Sequence, residues 1–277
     1  MRTMDRMIQR LRQPELDLAR DAAQHVVEIH RRLADWLRCG VTLARIDTFV
    51  AQQLKDLSCK SCFLGYRSGR LPPFPSYACL SPNDCIVHGT AGFISTPMRP
   101  GDILSIDLGV SCQGWIGDAA WTYVFKEMDD SHRRLVTAGK ESISAGIAEL
   151  RPGRPFINFA RAVQQCVERK HGLYCVRGLG GHGYGRTLHA PPFIANTAPL
   201  HPSEWPDAFT KAQPGMLIAV EPMIAVGSDQ IAQKPREWPI YTADGSLSVH
   251  YEHDIYIDID GPVVLTKGLD DLPDIVG

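Results

Sequence analysis

Between residues 14 and 38, apolar side chains recur at spacings of three and four: Leu16, Leu18, Ala19, Ala22, Ala23, Val26, Val27, Ile29, Leu33 and Trp36. That period predicts an amphipathic helix, and Gly40 supplies its stop. A second helix is expected over about 43–57, with Ile46, Phe49, Val50 and Leu54 on one face. From about 61 to 80 the chain is rich in Gly, Pro and Ser and reads as loop. Apolar runs of strand length follow in Cys85 to Val87, Ile103 to Val110 and Ala119 to Phe125. Helices are expected again at about 130–150 and 155–170, then strands at about 174–177, 216–226 and 251–258.

Helices followed by strands therefore occur twice, and short matches recur in the same frame. Pro100-Gly101-Asp102 opens an apolar run ending in Asp107, and Pro214-Gly215-Met216 opens one ending in Glu221, with the two copies offset by 114. Gly40 and Val50-Ala51-Gln52-Gln53 answer Gly153 and Ala162-Val163-Gln164-Gln165 at an offset of about 113. This predicts one α+β domain over 1–277, built from duplicated halves of about 1–128 and 129–277. Its centre would receive one acidic strand from each half.

Acids interrupt the greasy strands. Asp107 lies in Ile103-Leu104-Ser105-Ile106-Asp107-Leu108, Glu221 ends Leu217-Ile218-Ala219-Val220-Glu221, and Glu252 stands near the start of the 251–258 run. Asp118 follows the turn Gln113-Gly114-Trp115-Ile116-Gly117, just before a fourth strand. One such acid is ordinarily a strand-end group facing water. Four beside core strands are costly unless paired or metal-bound, and Ile103 to Phe125 contains no Lys or Arg. A shared divalent centre accounts for all four, and four carboxylates balance two divalent ions. Two ions roughly 3.5–4 Å apart can acidify one water into a nucleophile at neutral pH. An imidazole joining the oxygens favours Mn²⁺, Co²⁺, Fe²⁺ or Zn²⁺ over Mg²⁺ and Ca²⁺. His182, in Gly180-Gly181-His182-Gly183-Tyr184-Gly185, is the candidate, with glycines letting the backbone turn tightly. His189, before Ala190-Pro191-Pro192, and His88, in Asn83-Asp84-Cys85-Ile86-Val87-His88-Gly89, are the other histidines in short motifs. The Gly-rich stretch lacks the Lys-Ser/Thr ending of a phosphate loop.

Composition removes other classes. The 277 residues are 44% hydrophobic and 22% charged with net charge −2, so nothing in the balance recruits nucleic acid or an acidic membrane. No apolar run of about 18 residues predicts a transmembrane helix. The basic residues of Met1 to Arg12 read as a solvated leader to the first helix, and no secretory signal is visible. The expected location is cytoplasmic, with the eight cysteines reduced. Cys59-Lys60-Ser61-Cys62 lacks the partner pair of a zinc or redox site and reads as thiols packed under a loop.

The motifs together resemble those of the methionine aminopeptidases, metallopeptidases with the pita-bread fold, in which duplicated halves surround a central antiparallel sheet. The likeness runs from the first helix to the last strand and rests on N-D-x-I-V-H-G at 83–89, D-x10-D at 107–118, G-H-G-x-G-R-x-x-H at 181–189, E-P-M at 221–223 and S-L-S-x-x-Y-E-H at 246–253. It implies removal of an initiator methionine before a small second residue by a dinuclear centre of Co, Mn, Fe or Zn. Asp107, Asp118, His182, Glu221 and Glu252 would be the ligands. Asp118 and Glu252 would bridge, His182 and Glu221 would complete one ion, and bidentate Asp107 the other. Glu221 would also shuttle the proton, His189 would stabilise the oxyanion, and His88 would contact the scissile amide nitrogen. Asn83, Cys85 and Ser248 match backbone positions of a monovalent-cation site, for Na or K. Tyr66, Phe74, Cys79 and Trp238 stand at pocket positions. Phe63 stands where some members have a cysteine and Leu188 where an aromatic is usual. An insertion falls around Gly69 to Pro73. The short 190–220 stretch between His189 and Glu221 leaves no room for the helical insertion of the second type, so the resemblance is to the first, bacterial-like type. Implied partners are N-termini of nascent chains and, transiently, the ribosome; a monomer is expected. Two alternatives stand beside this. The prolidase and aminopeptidase P branch carries a large N-terminal domain, whereas Asp107 comes early here. A catalytically inactive binding scaffold of the same fold would have lost ligands, whereas all five are present.

Overall fold

The computed structural model describes residues 11–277. Most of the basic Met1 to Arg12 stretch lies outside them.

Helix α1 (Gln13–Trp36) starts where Glu15 reaches back to the Arg12 N–H, with Pro14 in the first turn. Helix α2 (Leu43–Asp56) starts at Thr42, whose hydroxyl accepts from Arg45 N. The apolar face of α1 packs on a five-stranded sheet whose centre is the antiparallel pair Ile103–Cys112 and Trp115–Phe125. Both expected helices thus form within two residues of their expected limits. Helix α3 (Asp130–Ile147) is capped by Asp129. The helix expected over 155–170 forms as α4 (Ile157–Gln164) and then widens into a π-turn at Gln165–Lys170, a change of hydrogen-bonding register that a 3.6-residue period does not reveal.

A second five-stranded sheet runs Gly261–Val264, His253–Asp258, Leu217–Val220, Gly180–Gly183, Ala190–Ala195. Two three-stranded sheets complete the fold among the described residues. The two large sheets meet at the acids: Glu252 N donates to Ala120 O at 2.9 Å, and Asp118 N donates to the Asp254 carboxylate at 2.9 Å.

Several expected boundaries move for physical reasons. The strand expected from 119 begins at Trp115, so Asp118 lies inside it rather than before it. The run expected over 216–226 divides into Leu217–Val220 and Met223–Ala225, because Pro222 has no N–H for a ladder and interrupts the pairing. The last expected strand begins at His253, leaving Glu252 in the bend after the separate strand Ser248–His250. The expected 61–80 loop is loop except at its ends, where Lys60–Ser61 and Cys79–Pro82 both pair with Ile103–Cys112. Cys59 is buried and Cys62 half-buried, both as free thiols.

His30 on α1 is fully buried, with Nδ1 3.0 Å from the Tyr123 hydroxyl and Nε2 3.4 Å from Ala119 O. Burial lowers it to about 4, against about 6.5 for a free imidazole. Because the folded value is the lower one, its contribution to stability is present above pH 6.5 and lost as pH falls towards 4. The loss amounts to roughly 3 kcal/mol below that window. Denaturant titrations of the wild type and His30→Leu at matched pH values are expected to show the wild type losing stability more steeply between pH 7 and pH 4.5. Parallel pH profiles would rule this out.

Candidate metal centre

Asp107 projects from the middle of Ile103–Cys112, opposite Cys79 on one side and Ala120 on the other. Asp118 comes from the paired strand Trp115–Phe125, which the tight turn at Gln113 and Gly114, both at positive φ, returns beside it. These two acids therefore share one sheet. The second sheet supplies His182 on Gly180–Gly183 and Glu221 at the end of Leu217–Val220, and Glu252 enters from the bend before His253. The glycines around His182 do not make the tight turn expected. They sit in a strand, where a Cβ on Gly181 would lie 2.1 Å from Ala219 O and one on Gly183 2.3 Å from Pro191 O. Their service is close backbone approach, which seats His182 against the Glu221 strand.

All five expected ligand residues face one cavity of about 640 Å³, and Asp118, His182, Glu221 and Glu252 are buried. His182 Nε2 stands 3.7 Å from Asp118 Oδ2 and 3.8 Å from Glu221 Oε1. Its Nδ1–H donates to Gly183 O at 3.1 Å, which leaves Nε2 as the free lone pair facing the acids. Donor atoms of Asp118, His182 and Glu252 lie within 4.8 Å of one another, as do those of Glu221, His250 and Glu252.

The electrostatics disfavour a set of bare carboxylates. Burial raises Asp107 to about 7 against a weaker opposing hydrogen bond from Cys79. Burial first, and then the neighbouring carboxylates, push Asp118, Glu221 and Glu252 well above the carboxylate range. Asp107 Oδ1 and Asp118 Oδ1 are buried without a hydrogen-bond partner. Clustered, desolvated carboxylate oxygens with no Lys or Arg along the cavity lining suit a hard or borderline divalent ion, which would reverse each of these shifts.

His88 and His189 line the same cavity. The His189 ring is centred 4.4 Å from that of His182, and its Nδ1 lies 2.7 Å from the Tyr66 hydroxyl. His88 has φ +60, an unusual backbone state for a non-glycine residue, and meets the Trp238 face edge-on at 6.0 Å. Phe63, Tyr66, Phe74, Cys79, Leu188 and Trp238 all line the cavity wall. Phe74 meets Trp238 edge-on at 5.2 Å and Phe63 at 6.2 Å. In the 69–73 segment, where an insertion is expected, the Pro72 carbonyl accepts the Trp238 indole N–H at 2.9 Å. Away from the cavity, Ser248 N–H donates to Asn83 O at 2.9 Å. The Ser248 hydroxyl lies 3.1 Å from Asn83 O and 3.3 Å from Cys85 O.

Sequence reasoning passed over Val87, Leu179, Phe193 and Met223, which also line the cavity. It passed over Asp254, fully buried and holding the Asp118 N–H, and His250, whose Nε2 lies 3.2 Å from Glu221 Oε2. The signal was available for both. Each stands within two residues of Glu252, in a stretch whose period otherwise points inward.

Acids from two sheets thus converge beside the His182 imidazole, a donor set that suits the divalent ions of a metallopeptidase. Residues 17–258 match the model of metallopeptidase family M24, and the chain belongs to that family. It is 33% identical to methionine aminopeptidase 1 of Bacillus subtilis, over 91% of this chain and 96% of that one. It is 32% identical to the methionine aminopeptidase of Aquifex aeolicus, over 92% and 97%. A crystal structure of methionine aminopeptidase from Rickettsia prowazekii superposes with a TM-score of 0.85 at 28% identity, covering 94% of this chain and all of that one. A prolidase from Pyrococcus furiosus shares the fold at a TM-score of 0.69 and 18% identity, and this chain covers 64% of it. The pita-bread α+β architecture is therefore that of the structure.

Proposed function

We propose that this chain is a metal-dependent methionine aminopeptidase of the bacterial-like type, which removes the N-terminal methionine of new polypeptides. The observation that carries this reading is the convergence of Asp107, Asp118, His182, Glu221 and Glu252, drawn from two sheets, on one aromatic-walled cavity.

Asp107, Asp118, His182, Glu221 and Glu252 would hold two divalent ions, of Mn, Co, Fe or Zn. Such a centre supplies an acidified water and a Lewis acid for the scissile carbonyl. The chain's own groups supply the rest. Glu221 takes the proton from the attacking water on a carboxylate oxygen and returns it to the leaving amine. His189 donates to the carbonyl oxygen as negative charge develops there. Burial keeps the Tyr66 phenol protonated, and donation from its hydroxyl to Nδ1 leaves the proton of His189 on Nε2. His88 lies across the cavity, where it accepts or donates at the scissile nitrogen. Burial holds His88 neutral, at about 4. Asn83, Cys85 and Ser248 would hold a Na or K ion through backbone oxygens, tying the His88 strand to the Glu252 bend. No helix among the described residues is long and apolar enough to cross a membrane. A cytoplasmic enzyme meeting nascent chains near the ribosome as a monomer is the setting that the reading implies.

Phe63, Phe74, Cys79 and Trp238 give an apolar wall that fits an unbranched thioether. With a panel of peptides differing in the first two residues, cleavage is expected to be fastest with Met first and Gly, Ala or Ser second. Discrimination against similar apolar side chains should reach about 10–200-fold, the range of a methylene-sized mismatch. Faster release of Leu or Arg than of Met would show that Phe63 and Leu188 have changed the substrate. Preference for Xaa-Pro bonds would favour the prolidase reading.

A further inference from the structure

His250 has no part in the five-ligand set, yet it is buried at the end of Ser248–His250, two residues before Glu252. Its Nε2 is closed off from solvent and has no hydrogen-bond partner among the described residues. A buried ring nitrogen left in that state loses its hydration with nothing in exchange, so the position calls for compensation. Glu221 Oε2 is only 3.2 Å away, but the two atoms are not aligned for a hydrogen bond. That combination has a simple meaning at a metal centre. Two donors bound at about 2.1 Å to one ion, at right angles, stand about 3 Å apart and aim at the ion rather than at each other.

The wider geometry agrees. Donor atoms of Glu221, His250 and Glu252 form one group within 4.8 Å, and those of Asp118, His182 and Glu252 form another. The groups share Glu252, and each contains one imidazole. We propose that His250 is a sixth side-chain ligand of the centre, binding through Nε2 beside Glu221 and Glu252. The proposal rests on the metal-centre reading above and extends it, giving the centre two imidazoles instead of one. A second nitrogen donor shifts preference from Mn²⁺ towards Co²⁺, Fe²⁺ and Zn²⁺.

Proton NMR of the Co²⁺-loaded protein tests this, because each ligating imidazole gives a strongly displaced, exchangeable ring N–H signal. The wild type is expected to show two such signals, one lost in His182→Ala and the other in His250→Gln. Glutamine keeps an N–H donor at similar reach but removes the imidazole. His250→Gln is also expected to bind its weaker Co²⁺ or Zn²⁺ ion about 100-fold less tightly, with a smaller change for Mn²⁺. The count in the wild type needs no variant to fold. A single signal in the wild type, retained in His250→Gln and lost in Asp118→Asn, would overturn the proposal and leave the metal centre standing. His250 would then be a buried neighbour of Glu221 that takes no part in binding the ions. Failure of the wild type to bind Co²⁺ at all would overturn the metal-centre reading as well, and the two failures are distinguishable.

Discussion

Stripping the metal is expected to reduce cleavage of Met-Ala peptides by more than about 10⁴-fold, since the water nucleophile loses the drop in pKa from 15.7 to about 7 that a metal supplies. Added Mn²⁺ or Co²⁺ should restore the chelated wild type but not Asp118→Asn. Asp118 is a buried acid in the donor group with His182 and Glu252, and it has an oxygen without a partner, so its amide should lower metal affinity as well as rate. Stability gives an independent readout. Binding to the folded state alone stabilises it by RT ln(1 + [L]/Kd), so chelation should lower Tm. The chelated protein should also acquire a characteristic pH dependence. Its site carboxylates have raised folded values, Asp107 to about 7. Their contribution is therefore present below the unfolded value near 4 and lost as pH rises through 7. The metal-loaded protein should lack this decline. Full turnover in a sample shown to be metal-free would end the two-metal reading.

The second large effect separates a ligand from a helper. His182 has its Nδ1–H engaged by Gly183 O and its Nε2 turned to Asp118 and Glu221, as a ligand should. His189 is held through Nδ1 by Tyr66 and lies farther out on the cavity wall. His182→Ala should lose occupancy of at least one ion together with rate. His189→Ala should keep both ions and lose about 10²–10³ in rate, or roughly 3–4 kcal/mol of transition-state stabilisation. The loss should fall on kcat more than on KM, because the charge appears only in the transition state. Tyr66→Phe should show a smaller loss of the same kind. The comparison needs calorimetric metal titration and kinetics at saturating metal. If His189→Ala loses metal while His182→Ala keeps it, the assignments are reversed.

Much of this molecule could be read in one dimension. The periodicity of 14–38 and 43–57 placed α1 and α2 because a helix on a sheet must bury a continuous apolar stripe. Asp107, Asp118, Glu221 and Glu252 were conspicuous because a carboxylate in a greasy strand violates the usual sorting of charge to water, and that violation is local. What the sequence could not carry is everything that depends on which strands become neighbours. The junction at Ala120 and Glu252 brings acids from two sheets to one point, and no spacing along the chain encodes it. The π-turn after α4, the break at Pro222 and the use of Gly181 for close packing against Ala219 also needed the third dimension. His250 shows the limit most clearly. In the sequence it is one more histidine near a motif, whereas burial leaves its Nε2 without water and tertiary packing sets it 3.2 Å from Glu221. The chain thus determined which chemistry was available, because residue type fixes charge and donor atoms. The tertiary structure decided which groups share a site, because ligation depends on distances of a few ångströms between residues far apart in the chain.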